Sequence, residues 1–497
     1  MPASFSTYPP VYPVPSAPHA VPFRRSVLKR ATSALVHLAM LGDSQESSNA
    51  EGRFYSVLMQ SRLAIHAGHL AGTGWSPPGS AAQPTPFIRQ AHAHASTTTA
   101  PGLTTSDFPP FFNFPMRVTS SGTLSFCLQP DAIGTVVANG SGVYTESQFM
   151  QPRDLIDLNA GDLWVADILL LSRAYTSEAV CGDTVAWEIR KHTGSVPNVS
   201  GTLVTSGTAT NAALNNGSTK SVVKVTTTAF ALDPSNKYIT LVVKSNTGDP
   251  VVVSAVRFRN VSRPRGIAIT WMGVGGATSA TFQATYNDCG PLLTAMGLDA
   301  MATHYGANDA YSGTGLTAAA YKTNIRSLID RIRQLTGKSL PCALFNDPWR
   351  PEDNSTEATY FDEEGGALAE IADADPLCRF CNTRLVTEKL GWCKASEDLT
   401  GISDGGAWTV TTAYTTSQYV TVTGANTMVF KCILNHTSAA ADAPMTGANW
   451  RTYWQLVRKH GASKSDGVHY SFFGSQLVAE VDAGLLLTGV EDCPILD

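Results

Sequence analysis

A chain of 497 residues is longer than one hydrophobic core ordinarily organises, so roughly two to four domains are expected. Hydrophobic residues make up 43% of it and charged residues 15%, which excludes a disordered chain and predicts a surface rich in Ser, Thr, Asn and Gly. The net charge of −5 comes without a long basic run, which argues against nucleic acid and anionic membranes as partners.

Residues 1–22 carry Tyr8, Pro9, Pro10, Tyr12, Pro13, Pro15, Pro18 and Pro22 and no apolar core after a basic start, so 1–32 reads as an extended arm rather than a secretory leader. Such a chain is expected in the cytoplasm, or outside the cell by a route needing no leader, such as assembly into a virion. The arm is then a candidate for virion attachment or homo-oligomer formation. No run of roughly 18 apolar residues is present, so no membrane insertion is expected.

ALVHLAML (34–41), ending at Gly42, has the continuous apolar character of a buried parallel strand. Phe54, Val57, Leu58 and Ile65 then recur at helical spacing across 48–68. Pro, Gly, Ser and Thr dominate 75–107. From 108 to 262 short β-rich segments alternate with turn clusters, at 162–171, 184–192, 221–230, 237–245 and 249–260, which predicts an antiparallel sandwich without helices. The α/β texture returns at 265: strands over 266–274, 339–347 and 378–386, and helices over 317–335 and 355–373. The first of these helices carries Tyr321, Ile325, Leu328, Ile329, Ile332 and Leu335 on one face. A Thr-rich, aromatic stretch at 396–457 interrupts the pattern, and a helix within 469–487 closes it. The expected division is an arm (1–32), a first α/β part with its linker (33–107), an inserted sandwich (108–262), a second α/β part (263–395), a small β module (396–457) and a third α/β part (458–497).

Nine cysteines, odd in number and scattered from Cys127 to Cys493, do not form a disulfide framework. Cys378, Cys381 and Cys393 give three thiols, but no fourth ligand completes a zinc site, and no metal is expected there. The pairs His66/His69 and His92/His94 read as surface or core histidines.

Four blocks carry chemistry, each with an ordinary alternative. Gly42-Asp43-Ser44 puts a serine at a strand-to-helix turn, where it is exposed and its N–H faces the site; alone it is a turn with a capping serine. Gly275-Gly276 lets substrate approach the backbone, though glycine after a strand is commonplace. Gly306-Ala307-Asn308-Asp309 offers an amide donor, or merely an Asx turn. Asp466-Gly467-Val468-His469 offers a base with a carboxylate to orient it; a lone Asp-x-x-His is common.

Together and in this order, as GDS 42–44, GVGGATS 273–279, GAND 306–309 and DGVH 466–469, the blocks resemble the SGNH (GDSL-like) serine hydrolases. The resemblance covers 33–75, 265–395 and 458–490; the first block reads GDSQ, and the insert after it is large. It implies a three-layer α/β/α, flavodoxin-like domain with Ser44 as nucleophile, His469 as base and then acid, and Asp466 orienting His469. The implied oxyanion hole is the Ser44 N–H, the Gly276 N–H and the Asn308 side chain, with Gly275 the alternative glycine. No cofactor is implied.

Tyr414, Tyr419, Val420, Met428, Val429, Phe430, Cys432, His436, Thr437, Ser438, Pro444, Trp450 and Trp454 in 396–457 loosely resemble small chitin-binding-type modules found in phage tail proteins. These rings are either sugar platforms or a miniature core. In the jelly-roll-like sandwich, Trp164, Trp187 and Tyr175 are candidate platforms, with a core position the stronger reading of each. The expected activity is removal of O-acyl groups, O-acetyl above all, from a polysaccharide, in a virion setting. The alternatives are an esterase of lipids or small esters, and a structural or receptor-binding protein with a vestigial esterase core.

Overall fold

The computed structural model describes residues 29–43, 59, 63, 74–75, short strands between 88 and 128, and, with short breaks, 161–457 and 472–487. The arm up to residue 28 and the predicted helical face Phe54, Val57, Leu58 and Ile65 lie outside the described residues.

Five strands form a parallel sheet: β1 (Leu35–Gly42), β2 (Gly266–Trp271), β3 (Ala300–His304), β4 (Cys342–Phe345) and β5 (Cys378–Cys381). Their spatial order is β2-β1-β3-β4-β5. That is the flavodoxin-like order, in which ligands sit beyond the carboxyl ends of the strands where the order reverses, beside β1 and β3. The strands read as mostly apolar runs, broken at buried His37, Thr270, Thr303, His304 and Arg379, because helices cover both faces. On one face, α1 (Gly290–Met296), α2 (Ala318–Thr336) and α3 (Ser355–Ala374) pack Leu292, Leu328, Ile332, Leu368 and Ile371 against Leu41, Met301 and Leu344. On the other, α4 (Thr383–Lys389) and α5 (Phe472–Leu487) bring Val386, Val478 and Leu485 to Val36, Leu38, Met40 and Phe345.

The predicted strand over 378–386 stops at Cys381. Asn382 Oδ1 accepts the Leu385 N–H at 3.0 Å, the bond of a helix cap, and the chain turns into α4. Within β5, Cys378 packs into the first core and Cys381 into the second, so the two thiols face opposite sides of the sheet and do not share a ligand. Cys393, His66, His69 and His94 lie outside the described residues.

Two antiparallel sheets occupy the middle of the chain. One orders strands 230–231, 163–171, 251–260, 116–118 and 97–99, with 222–226 also pairing with 163–171; the other orders 88–93, 123–128, 238–245, 184–192 and 202–210. Strands therefore begin at 88, within the stretch read as linker. The sheets enclose a core of Trp164, Ile168, Leu170, Val253 and Phe258 against Val185, Trp187, Ile189, Leu241 and Val243. Trp164, Trp187 and Tyr175 are all buried, which answers for these rings in favour of packing. Strands 163–171 and 251–260 of the first sheet are covered on both faces, whereas Lys224 and Thr226 of strand 222–226 are exposed. Leu169, Leu171, Val252 and Ala255 point the other way and join the core of α1 and α2. It is a shared wall rather than an appendage.

The buried charges of this wall are paired. The Asp167 carboxylate, fully buried, accepts from Arg257 Nε at 2.8 Å and from Arg259 Nε at 2.6 Å. Burial opposes its ionisation, but the two guanidiniums outweigh it and hold the carboxyl down at about 2. Arg257 also lies 4.3 Å over the Trp75 ring. Trp75 Nε1 and His37 Nδ1 both meet the Met296 carbonyl at 3.0 Å. His37 Nε2 faces Thr270 Oγ1, which in turn accepts the Trp75 N–H. A carbonyl can only accept, so His37 carries a proton on Nδ1. Burial, with Arg257 nearby, depresses its pKa to about 3.

In the smaller module, strands 404–407, 419–422, 428–432 and 454–457 form one sheet. Tyr414, Val420, Phe430, Cys432 and Trp454 are its core, with Tyr414 edge-on to Trp454 at 4.9 Å. Of the two readings of these aromatics, the miniature core applies to Tyr414, Phe430 and Trp454. Among the described residues no helix is long and apolar enough to cross a membrane.

Candidate active site

Three chain crossings meet at the carboxyl ends of β1, β2 and β3. The β1–β3 register sets Gly42 beside His304, and the Met272 N–H bonds the Met40 carbonyl across β2 and β1. Gly42-Asp43, the chain after Trp271 and Gly306-Ala307-Asn308 therefore leave the sheet side by side. Asp43 is buried at the end of β1. Ser44, Gly275, Asp466 and His469 lie outside the described residues, whereas Gly276 and Asn308 lie within them.

Gly276 has φ +75°, a left-handed conformation that an L side chain adopts only under strain. Open space surrounds the position of its missing Cβ, so backbone conformation, not crowding, calls for glycine. Asn308 sits in the single helical turn 307–311 after β3, and its Nδ2 donates to the Ala277 carbonyl at 3.1 Å. This brings together the loops of two of the residues expected to bind an oxyanion: the Asn308 amide lies against the Ala277 carbonyl, one residue beyond Gly276. An amide nitrogen carries two hydrogens, and this bond uses one.

Asp309 fastens the same two loops. Its carboxylate accepts the Ser279 N–H at 3.0 and 3.1 Å and the Ser279 hydroxyl at 2.9 Å, and Asn324 of α2 donates to that hydroxyl at 3.1 Å. Burial raises the Asp309 carboxyl to about 6, partly offset by the Ser279 bonds and reinforced by the charge of Asp347. Beneath the turn, Gly306 has φ +149°, and a Cβ there would fall 2.5 Å from Glu364 Oε1 and 2.7 Å from Asp347 Oδ2. Tyr321 of α2 bonds the Tyr305 carbonyl at 2.7 Å and Glu364 Oε1 at 3.0 Å.

Sequence reading missed Ser279, Tyr321, Asn324, Asp347 and Glu364. Ser279 was inside the quoted GVGGATS block, and an acid inside a helix beside Gly365-Gly366 is an unusual neighbourhood, but neither names its partner. Among the described residues no group of three or more His, Cys, Asp or Glu gathers to hold a metal.

No protein-family model matches the sequence, and no curated protein does. Among solved structures, the chain is similar to a peptidoglycan O-acetylesterase, with 15% identity and a TM-score of 0.51 over 94% of each chain. It shares that protein's fold, and the likeness takes in the antiparallel sheets as well as the α/β part. Smaller likenesses are to an acetylxylan esterase from Geobacillus stearothermophilus (20% identity, TM-score 0.22, 27% of this chain and 62% of that one) and a carbohydrate acetylesterase from Sinorhizobium meliloti (13%, 0.21, 27% and 78%).

Proposed function

We propose that this protein is a serine esterase that removes O-acyl groups, acetyl in particular, from a polysaccharide. The observation that carries the reading is the Asn308 amide held on the Ala277 carbonyl beside left-handed Gly276, at the carboxyl edge where β1 leads into Ser44. In this reading the Ser44 hydroxyl attacks the ester carbonyl and His469 takes its proton, with Asp466 holding the imidazole tautomer. The negative charge on the tetrahedral intermediate is met by the Ser44 N–H, the Gly276 N–H and the second Asn308 N–H. His469 returns the proton to the departing sugar oxygen, leaving acyl-Ser44, and water activated by His469 releases the acid. The fold shared with a peptidoglycan O-acetylesterase favours a glycan ester over a lipid. Because Trp164, Trp187 and Tyr175 are packed inside, sugar recognition is assigned away from those rings. Action on a host surface glycan from a virion, with attachment through the Pro-rich arm, is suggested by that arm and by the modular β content.

The test is acetate release from O-acetylated peptidoglycan and acetylxylan, and hydrolysis of p-nitrophenyl acetate against longer acyl chains, by wild type and Ser44→Ala. Acetate release abolished by the substitution is expected. Activity rising with acyl length would favour a lipid esterase, tight glycan binding without release would favour a binding protein, and activity surviving in Ser44→Ala would refute the site.

A further inference from the structure

The Tyr321 phenol carries one proton but touches two oxygens, the Tyr305 carbonyl at 2.7 Å and Glu364 Oε1 at 3.0 Å. A carbonyl oxygen only accepts, so the shorter bond takes the phenolic proton. The remaining contact is then satisfied only if Glu364 supplies a proton of its own. An ionised Glu364 would have to take the phenolic proton, leaving two lone pairs opposed across 2.7 Å at Tyr305.

The surroundings favour the acid form. Glu364 is fully buried in α3. Facing it are Asp347 after β4, Asp309 and His304 from β3 and its turn, Tyr321 of α2 and Tyr360 of its own helix. Burial and the facing Asp347 charge push its carboxyl well above the usual range, against the smaller opposing effects of Tyr321 and His304. Glu364 Oε1 and Asp347 Oδ2 both occupy the space a Cβ on Gly306 would need, two residues before Asn308.

We propose that Glu364 is a positioning residue held as the neutral acid: it donates to Tyr321 Oη, which fixes the phenolic proton on the Tyr305 carbonyl and so sets the turn that presents Asn308. This rests on the esterase reading for its consequence in catalysis. The benefit is twofold. The turn is held by directed bonds, and a neutral Glu364 adds no further negative charge to those of Asp309 and Asp347 behind the place where the tetrahedral oxyanion develops, where a low dielectric would make like charges costly.

The experiment compares the full chain with Glu364→Gln and Glu364→Ala. Gln is neutral and keeps a donor, whereas Ala has none. Infrared spectra at neutral pH should show the carbonyl stretch of a protonated carboxyl that disappears in Glu364→Gln. On p-nitrophenyl acetate, Glu364→Gln should keep most of kcat, and Glu364→Ala should lose on the order of 10- to 100-fold in kcat with little change in KM, as for a displaced catalytic group. Hydrogen exchange at the 305–309 amides should quicken in Glu364→Ala and not in Glu364→Gln. An absent band, or a Gln variant as impaired and as fast-exchanging as Ala, would overturn the proposal. If wild type hydrolyses no ester, the esterase reading fails by itself, while the infrared and exchange measurements still decide the state and role of Glu364.

Discussion

Acidification should destabilise this protein through His37, by an amount the structure sets. The folded state holds the imidazole neutral, with Nδ1–H on Met296 and Nε2 accepting from Thr270, and depresses its pKa from 6.5 to about 3. The unfolded chain takes up a proton as pH falls through 6.5, whereas the folded chain resists until about 3. The stabilisation is therefore complete above 6.5 and lost progressively below it. At 1.36 kcal/mol per pH unit, acidifying from pH 7.5 to 5 removes about 2 kcal/mol. Asp309 works in the opposite sense. Its carboxyl, raised from 3.8 to about 6, lets the folded state keep a proton that the unfolded chain has released, so it adds stability as pH falls from 6 to 3.8. At pH 5 that returns roughly 1 kcal/mol, so wild type alone understates the histidine effect. The assay is urea unfolding followed by tryptophan fluorescence at both pH values, for wild type and His37→Gln, whose amide can still donate to Met296. The variant is less stable at pH 7.5, but the gap should narrow by about 2 kcal/mol at pH 5. A gap that does not change with pH would refute the buried neutral assignment.

Other perturbations separate the parts of the site. Asn308→Ala should lower kcat on an acetyl ester by roughly 100- to 1,000-fold, the usual loss for one oxyanion donor, with folding intact by circular dichroism. Gly276→Ala and Gly306→Ala should differ: the first meets open space and costs only backbone strain, about 1–2 kcal/mol, while the second adds a collision with the Glu364 and Asp347 carboxyls. Matched unfolding curves showing equal losses would contradict that geometry. Asp309→Asn should abolish the loss of stability, up to roughly 3 kcal/mol, that wild type incurs at this residue between pH 3.8 and 6, read from urea midpoints of the two proteins across that window. Asp167→Ala leaves two guanidiniums, one of them buried, without their carboxylate, and should cost about 3–5 kcal/mol in the same assay.

What the sequence disclosed about the fold follows from where its side chains lie. β1 announced itself because a strand covered on both faces is apolar at every position but His37, and α2 because only one of its faces is buried. The strand 202–210 did not, since its residues are exposed or half-buried and the run TLVTSGTAT has no apolar face to read. β5 was drawn too long because RLV continues an apolar run, and what ends the strand is a single side-chain bond from Asn382. Strands 163–171 and 251–260 were placed correctly, but their partner was not foreseen. Alternation within them is lost because both faces are buried, one against the second antiparallel sheet and one against α1 and α2.

The site shows the same division more sharply. Blocks of three to seven residues reveal groups that leave the sheet together, and Gly276 and Asn308, proposed here for the oxyanion hole, do lie at one carboxyl edge. Asp309, in the same block as Asn308, could be seen but not understood, because its bond to Ser279 spans 30 positions. Glu364 lies 43 positions from Tyr321, and nothing local marks it beyond an acid inside a helix. Buried groups of this kind act through how many protons a cluster holds, and that is decided by which oxygens meet once the chain has folded. Local pattern can nominate the atoms that touch substrate, but the groups that fix the position and charge around them are set by contacts between distant elements. In this protein Tyr321 and Asn324 of α2 and Glu364 of α3, two of the three helices covering one face of the sheet, belong to the second set, together with Ser279 and Asp347 in loops.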